Sequence, residues 1–333
     1  MRRLWLAALA AAAIVAVVAL RPDEPPASLD AAAAAVVESG VPGVIVRVRD
    51  GEQVRELAKG EASVDDRFRI GSVTKTFVAA LTLRLADLGT LSLDETVAEF
   101  EPDLVGDAAE ITIRELLSHR AGLFDYTSDP ALLRGGLDPR VLVGIADGMP
   151  RATGYAYSST NYLVLGFVLQ RAGLAGLDQM LERQILEPYG LADTTFEPGV
   201  VEGSHLHGHE RPLRDGIATG SLTDTSDRTA RSAWAAGAMV STAADLDRFF
   251  TRLLAGDLGR RMQPRGDDRY GLGLARFETD CGPVVGHTGN LLGTVTVVWA
   301  RGDRLLVAAA NVFPLTPEQE TAFQRLLERA FCG

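Results

Sequence analysis

Strand-like sequence is confined to the two ends of this chain, and that split limits the folds that can bury it. Near the start, "GVIVRVRDGEQVRELAKG" (43–60) alternates apolar and polar residues about Asp50-Gly51, which predicts two antiparallel strands joined by a tight turn. Near the end, "YGLGLARF" (270–277), "PVVGHTGNLLGTVTVVWA" (283–300) and "RLLVAAANVF" (304–313) read as three more strands. Residues 90–265 read mostly as short helices and loops. An Ala-rich helix through about Glu38 precedes the first strands, and a helix over 317–331 closes the chain. The pattern predicts an α+β fold: one antiparallel sheet built from both chain ends and flanked by the terminal helices, with an all-α domain inserted. The α/β part is expected over about 29–90 and 266–333, and the α-rich part over about 91–265.

Met1-Arg2-Arg3 precedes an uncharged apolar run from Leu4 to Leu20, which ends at "RPDEPPAS". That is the pattern of an export segment over residues 1–20, either a signal peptide cleaved near Val17 and Ala19 or a membrane anchor through residues 4–20. Residues 21–28 form a Pro-rich linker, and the folded body runs over 29–333. Either outcome puts the body outside the cytoplasmic membrane, because the arginines stay in the cytoplasm. The only two cysteines, Cys281 and Cys332, are expected to pair in that oxidising setting. A net charge of -11 with no basic stretch argues against a nucleic-acid partner.

Within "FRIGSVTKTF" (68–77) stands Lys75, one of two lysines in 333 residues that carry 33 basic side chains. A desolvated lysine can lose its proton near neutral pH and act as a base, which arginine cannot do. Ser72 lies three positions earlier, on the same face if the segment is a helix. A serine nucleophile needs such a base when no histidine serves it, and the helix N-terminus favours the developing anion. Ser72 read by itself is a helix N-cap before it is a nucleophile. A second stretch, "YSSTNY" (157–162), offers the phenol of Tyr157 as a proton relay, or as a packing ring. A third, "GHTG" (286–289), sets glycines in an apolar strand, a sign of close approach by a ligand's backbone or of a bulge. The ordered set S-x-x-K, Y-S-x, H-T-G is far more specific than its members.

By these motifs, and by "LLSHRAGL" (116–123), "WAAGAMVSTAADLDRF" (234–249), "YGLGL" (270–274) and the terminal "AFCG", the chain resembles the serine β-lactamase and penicillin-binding superfamily. The likeness spans about 38–333 and is to the branch of class C β-lactamases and D-alanyl-D-alanine carboxypeptidases. His287 in the third motif is similar to the carboxypeptidase side. The resemblance implies Ser72 as the acylated nucleophile, Lys75 as its base and Tyr157 as proton donor to the leaving amine. It implies an oxyanion hole from the N–H groups of Ser72 and Asn290, the latter following His287-Thr288-Gly289. Thr288 and Arg276 would hold a substrate carboxylate, and Trp234 would wall the site. The family's Tyr-x-Asn is here Tyr157-Ser158-Ser159, with Asn161 two positions late, so Ser159 departs from the pattern.

The resemblance implies an exported, monomeric serine D-alanyl-D-alanine carboxypeptidase acting on peptidoglycan-type peptides or other small acyl substrates, reacting with β-lactams and needing no cofactor or metal. An esterase, a weak β-lactamase or a penicillin-binding sensor that acylates without turnover is the alternative within the fold. A different class, a zinc hydrolase on His205, His207 and His209, would need those three on one face of a strand. An α/β-hydrolase would need a G-x-S-x-G elbow, which does not occur.

Overall fold

The structure, a computed structural model, describes residues 28–214 and 217–333. The export segment expected over 1–20, and nearly all of the linker, lie outside the described residues. Six strands form one antiparallel sheet: β1 (Gly43–Asp50), β2 (Gln53–Gly60), β3 (Ala275–Thr279), β4 (Gly282–Leu291), β5 (Thr294–Arg301) and β6 (Arg304–Ala310), in the order β3-β4-β5-β6-β1-β2. The two ends of the chain meet at β1 and β6, where Val44 lies opposite Ala310 and Asp50 opposite Arg304. The expected β1–β2 hairpin turns at Gly51, in the left-handed region at φ 60°.

β5 and β6 run almost continuously buried, because helices cover both faces of the sheet. On one face Val44, Val46, Val297 and Leu306 pack against α1 (Leu29–Glu38) and α5 (Pro317–Cys332), with Phe323, Leu326 and Phe331 contributed by α5. On the other face Ile45, Val298 and Val307 meet α2 (Thr74–Asp87), α4 (Ala243–Ala255) and the helical region that includes α3 (Ser159–Gly173). Phe77 of α2 stacks on Phe249 of α4 with centroids 3.9 Å apart. Burying side chains of this size contributes roughly 1.5–3 kcal/mol each. Cys281, in the β3–β4 turn, is joined to Cys332 at the end of α5.

Three expectations need correction. The long segment 283–300 is two strands, since Leu292 (φ 44°) and Gly293 (φ 76°) make a two-residue reversal inside it; the apolar Leu291-Leu292 pair masked the turn. "YGLGL" is no strand, because Gly273 at φ 90° brings this loop against Ala79, where a Cβ would stand 2.3 Å from the alanine Cβ. Finally, α4 belongs to the α/β layer although it falls within 91–265. Its Asp247 is fully buried and accepts from Arg47 Nε at 2.9 Å and Arg49 Nη2 at 2.7 Å, both on β1. Among the described residues no helix is long and apolar enough to cross a membrane.

Candidate active site

Ser72 sits in a short 3-10 turn, Gly71–Val73, that runs straight into α2. Its hydroxyl makes no cap bond to the helix; it meets Lys75 Nζ at 2.9 Å instead. Lys75 is fully buried, with Nζ also 2.8 Å from the Ala236 carbonyl and 3.3 Å from Ser159 Oγ. Burial lowers its pKa to about 7, an effect that the charge of Asp125 opposes only in part. Near neutrality much of the lysine is therefore the free amine. The neutral amine has two N–H donors and one lone pair. With the donors on Ala236 O and Ser159 Oγ, the lone pair faces the Ser72 hydroxyl and can take its proton.

β4 is pressed against the Ser72 turn, and glycine makes that approach feasible. A Cβ on Gly289 would stand 2.0 Å from the Ile70 carbonyl oxygen and 2.9 Å from Ser72 N, and one on Gly71 (φ 50°) would stand 2.6 Å from Asn290 N. The sequence suggested that the glycines of 286–289 mark a ligand's backbone or a bulge; what Gly289 admits is the chain's own turn. The backbones at Ser72 and Asn290 are thereby brought close together, as an oxyanion hole formed from their N–H groups would require.

Burial holds the Tyr157 pKa well above the ordinary phenol value, an effect the nearby Ser72 side chain opposes only in part, so it is a neutral O–H. Its ring lies 5.2 Å from Lys75 Nζ. Ser159 is buried, with its N–H on Asp125 Oδ1 at 3.0 Å. Asn161 turns to His119 instead, with Nδ2 3.3 Å from the imidazole Nδ1, so it does not stand in for the family's asparagine.

His287 is buried, with Nδ1 2.6 Å from the Thr288 carbonyl and Nε2 2.9 Å from Tyr270 Oη. Burial first, then the charge of Lys75, lower its pKa to about 3, against the Thr288 bond. A neutral ring satisfies both contacts, donating from Nδ1 and accepting the tyrosine proton at Nε2. Two expected site residues go elsewhere. Arg276 is opposite Val285, three residues short of Thr288, and its guanidinium bonds the Gly266 carbonyl at 2.6 Å. Trp234 packs on Gly166 and on the Phe167 ring at 4.6 Å, two turns along α3 from Ser159. The three histidines also take separate partners: His205 on Gly203 O, His207 on Asp224 and His209 on Asn311 O. Among the described residues no group of three or more His, Cys, Asp or Glu side chains is placed to hold a metal.

The sequence reading named no role for Asp125, His119 or Tyr270. His119 and Tyr270 lie in the quoted stretches "LLSHRAGL" and "YGLGL", whereas the only local signal at Asp125 is a capping one, since it caps the turn Tyr126–Ser128.

The profile of the Beta-lactamase family matches residues 29–330, and the chain belongs to that family. It is 31% identical over 238 residues to penicillin-binding protein 4 of Amycolatopsis lactamdurans, covering 64% of this chain and 59% of that protein. It is 31% identical over 216 residues to esterase EstB of Burkholderia gladioli, covering 53% and 54%. These matches therefore span only a little over half the length of the curated relatives. Likeness over the whole fold is found with a D-stereospecific amidohydrolase from Streptomyces, with TM-score 0.81, 30% identity and coverage of 94% of this chain and 99% of that one. The D-amino acid amidase of Ochrobactrum anthropi follows at TM-score 0.76 and 25% identity, covering 90% and 98%. Fold and site together define a β-lactamase-fold serine hydrolase.

Proposed function

We propose that this hydrolase cleaves amide and ester bonds of D-configured aminoacyl substrates through an acyl-enzyme on Ser72, outside the cytoplasmic membrane. The observation that carries the reading is Lys75, fully buried and poised near neutrality 2.9 Å from the Ser72 hydroxyl. Lys75 takes the Ser72 proton as the oxygen attacks the acyl carbon, and the N–H groups of Ser72 and Asn290 receive the oxyanion. Tyr157, a neutral phenol in contact with Ser72, delivers a proton to the leaving group. Water then hydrolyses the ester with the same groups. D-configuration is supported by the whole-length likeness to a D-stereospecific amidohydrolase and a D-amino acid amidase. Asp125 adds a carboxylate close enough to act on Lys75 and Tyr157, suited to a substrate's free ammonium group.

A D-alanyl-D-alanine carboxypeptidase that also reacts with β-lactams is the second reading, supported by the three motifs and the likeness to a penicillin-binding protein. Its substrates carry an acylated amine and a free carboxylate, and the position of Arg276 leaves Thr288 as the one assigned carboxylate partner. The two readings separate on D-aminoacyl amides with free or acetylated amines, compared with an acyl-D-Ala-D-Ala peptide, while adduct mass on Ser72 is followed. The expected outcome is a Ser72 adduct, turnover of D over L substrates, and a preference for the free amine that Asp125→Asn abolishes. Preference for the acylated peptide would select the carboxypeptidase, adduct without product release a sensor, and no Ser72 adduct would overturn both.

A further inference from the structure

His119 is fully buried, yet it is a non-glycine residue in the left-handed region at φ 57°. Such strain is kept where the surroundings demand it. What surrounds it is the segment that carries Tyr157. The Ala156 N–H donates to the His119 carbonyl at 2.9 Å, and the Ser158 N–H donates to the imidazole Nδ1 at 3.2 Å. Asn161 Nδ2 approaches the same nitrogen at 3.3 Å. The backbone is thus tied to one residue immediately before and immediately after Tyr157. The imidazole also lies against the Tyr157 ring, with centroids 4.2 Å apart and planes 34° apart, and meets the Tyr270 ring edge-on at 4.6 Å.

We propose that His119 is a positioning residue for the leaving-group step: its Nδ1, as an acceptor, holds the chain just after Tyr157 while its backbone carbonyl holds the chain just before it, so that the phenol keeps its place beside Ser72. The proposal rests on the reading of Tyr157 as the proton donor. An acceptor at Nδ1 requires the neutral ring with its proton on Nε2. Burial, Lys75 and His287 all press the ring toward that neutral form, and the Ser158 N–H, donated to Nδ1, needs that nitrogen unprotonated. The groups facing it are Lys75, His287, Tyr155, Tyr157, Tyr162 and Tyr270. A second cation here would add to the charge on Lys75 and give up the Ser158 N–H bond.

The test separates the acceptor from general packing. In His119→Asn the side-chain oxygen can reach the place of Nδ1, whereas in His119→Gln it reaches the place of Nε2; the two are otherwise alike. Each variant is assayed on a D-aminoacyl anilide, whose leaving amine needs a proton, and on the matching p-nitrophenyl ester, whose phenolate does not. The ratio of anilide to ester kcat/KM should stay within about threefold of the unmodified protein in His119→Asn and fall at least about tenfold in His119→Gln. The ester rate and Tm of the two variants should agree. Equal ratios in the two variants, or anilide and ester rates that fall together, would overturn the proposal. If the unmodified protein forms no Ser72 adduct with the ester, the proposed function fails first, and that outcome is visible before any variant is made.

Discussion

At the residue scale the chemistry turns on one buried amine. Ser72→Ala should abolish adduct formation and leave Tm within about 1 kcal/mol equivalent, because a half-exposed hydroxyl contributes little to folding; mass spectrometry and a melting curve check both halves. Lys75→Arg should be almost as inactive, since arginine keeps the charge and supplies no neutral base. The pH profile gives the independent check. With the Lys75 pKa lowered to about 7, kcat/KM for acylation should rise through about pH 7 and level off above it. A profile flat from pH 5 to 9 would rule out Lys75 as the base. The same shift has a defined sign in stability: between about 7 and the ordinary lysine pKa the unfolded chain binds more protons, so folding strengthens as pH rises across that window.

At the scale of elements, the site is an edge-on meeting of β4 with the start of α2, and the two glycines set its distance. Gly289→Ala would force the strand away from Ile70 and Ser72, because the new Cβ would stand 2.0 Å from a backbone oxygen that no rotamer change can move. The sheet should survive, since the remaining β4–β5 ladder is intact, but the Asn290 N–H should leave the oxyanion position. We expect acylation to fall at least about tenfold, and by as much as about a thousandfold, with both amides and esters affected. Stopped-flow acylation with an ester and an anilide measures this. A selective loss on the anilide would mean that Gly289 serves Tyr157 and not the oxyanion.

Across the whole molecule, two covalent or ionic ties hold the terminal segments to the rest. Asp247 of α4 clamps β1 through Arg47 and Arg49. Burial alone would raise its pKa, but the bonds from Arg49 and Arg47 outweigh that and hold it below the ordinary value. Its contribution is therefore present above about pH 4 and lost as pH falls through the lowered value. Asp247→Ala should destabilise by about 3 kcal/mol or more in urea at pH 7, leaving active-site chemistry intact in the folded fraction. Reducing the Cys281–Cys332 bridge, which spans 51 residues, should cost up to about 4 kcal/mol. The check is a Tm measured with and without reductant, against a Cys281→Ser, Cys332→Ser variant that should no longer respond.

The sequence by itself determined the elements whose signal is local. The hairpin at Asp50-Gly51, the terminal helices and the pairing of Ser72 with Lys75 three residues on follow from turn chemistry and helical spacing. The three motif stretches were legible as a set because order along a chain survives without coordinates. Only the tertiary structure decided what is made by approach between distant segments. It turned Arg276 to the Gly266 carbonyl and Trp234 onto α3, it set Asp125 beside Ser159, and it gathered His119 and Tyr270 around Tyr157. It also moved α4 into the sheet layer through a carboxylate and two arginines about 200 residues apart. The physical reason is the same in each case: a side chain's partner across such a separation depends on how packed elements are placed, and neither hydrophobic period nor capping preference carries that information.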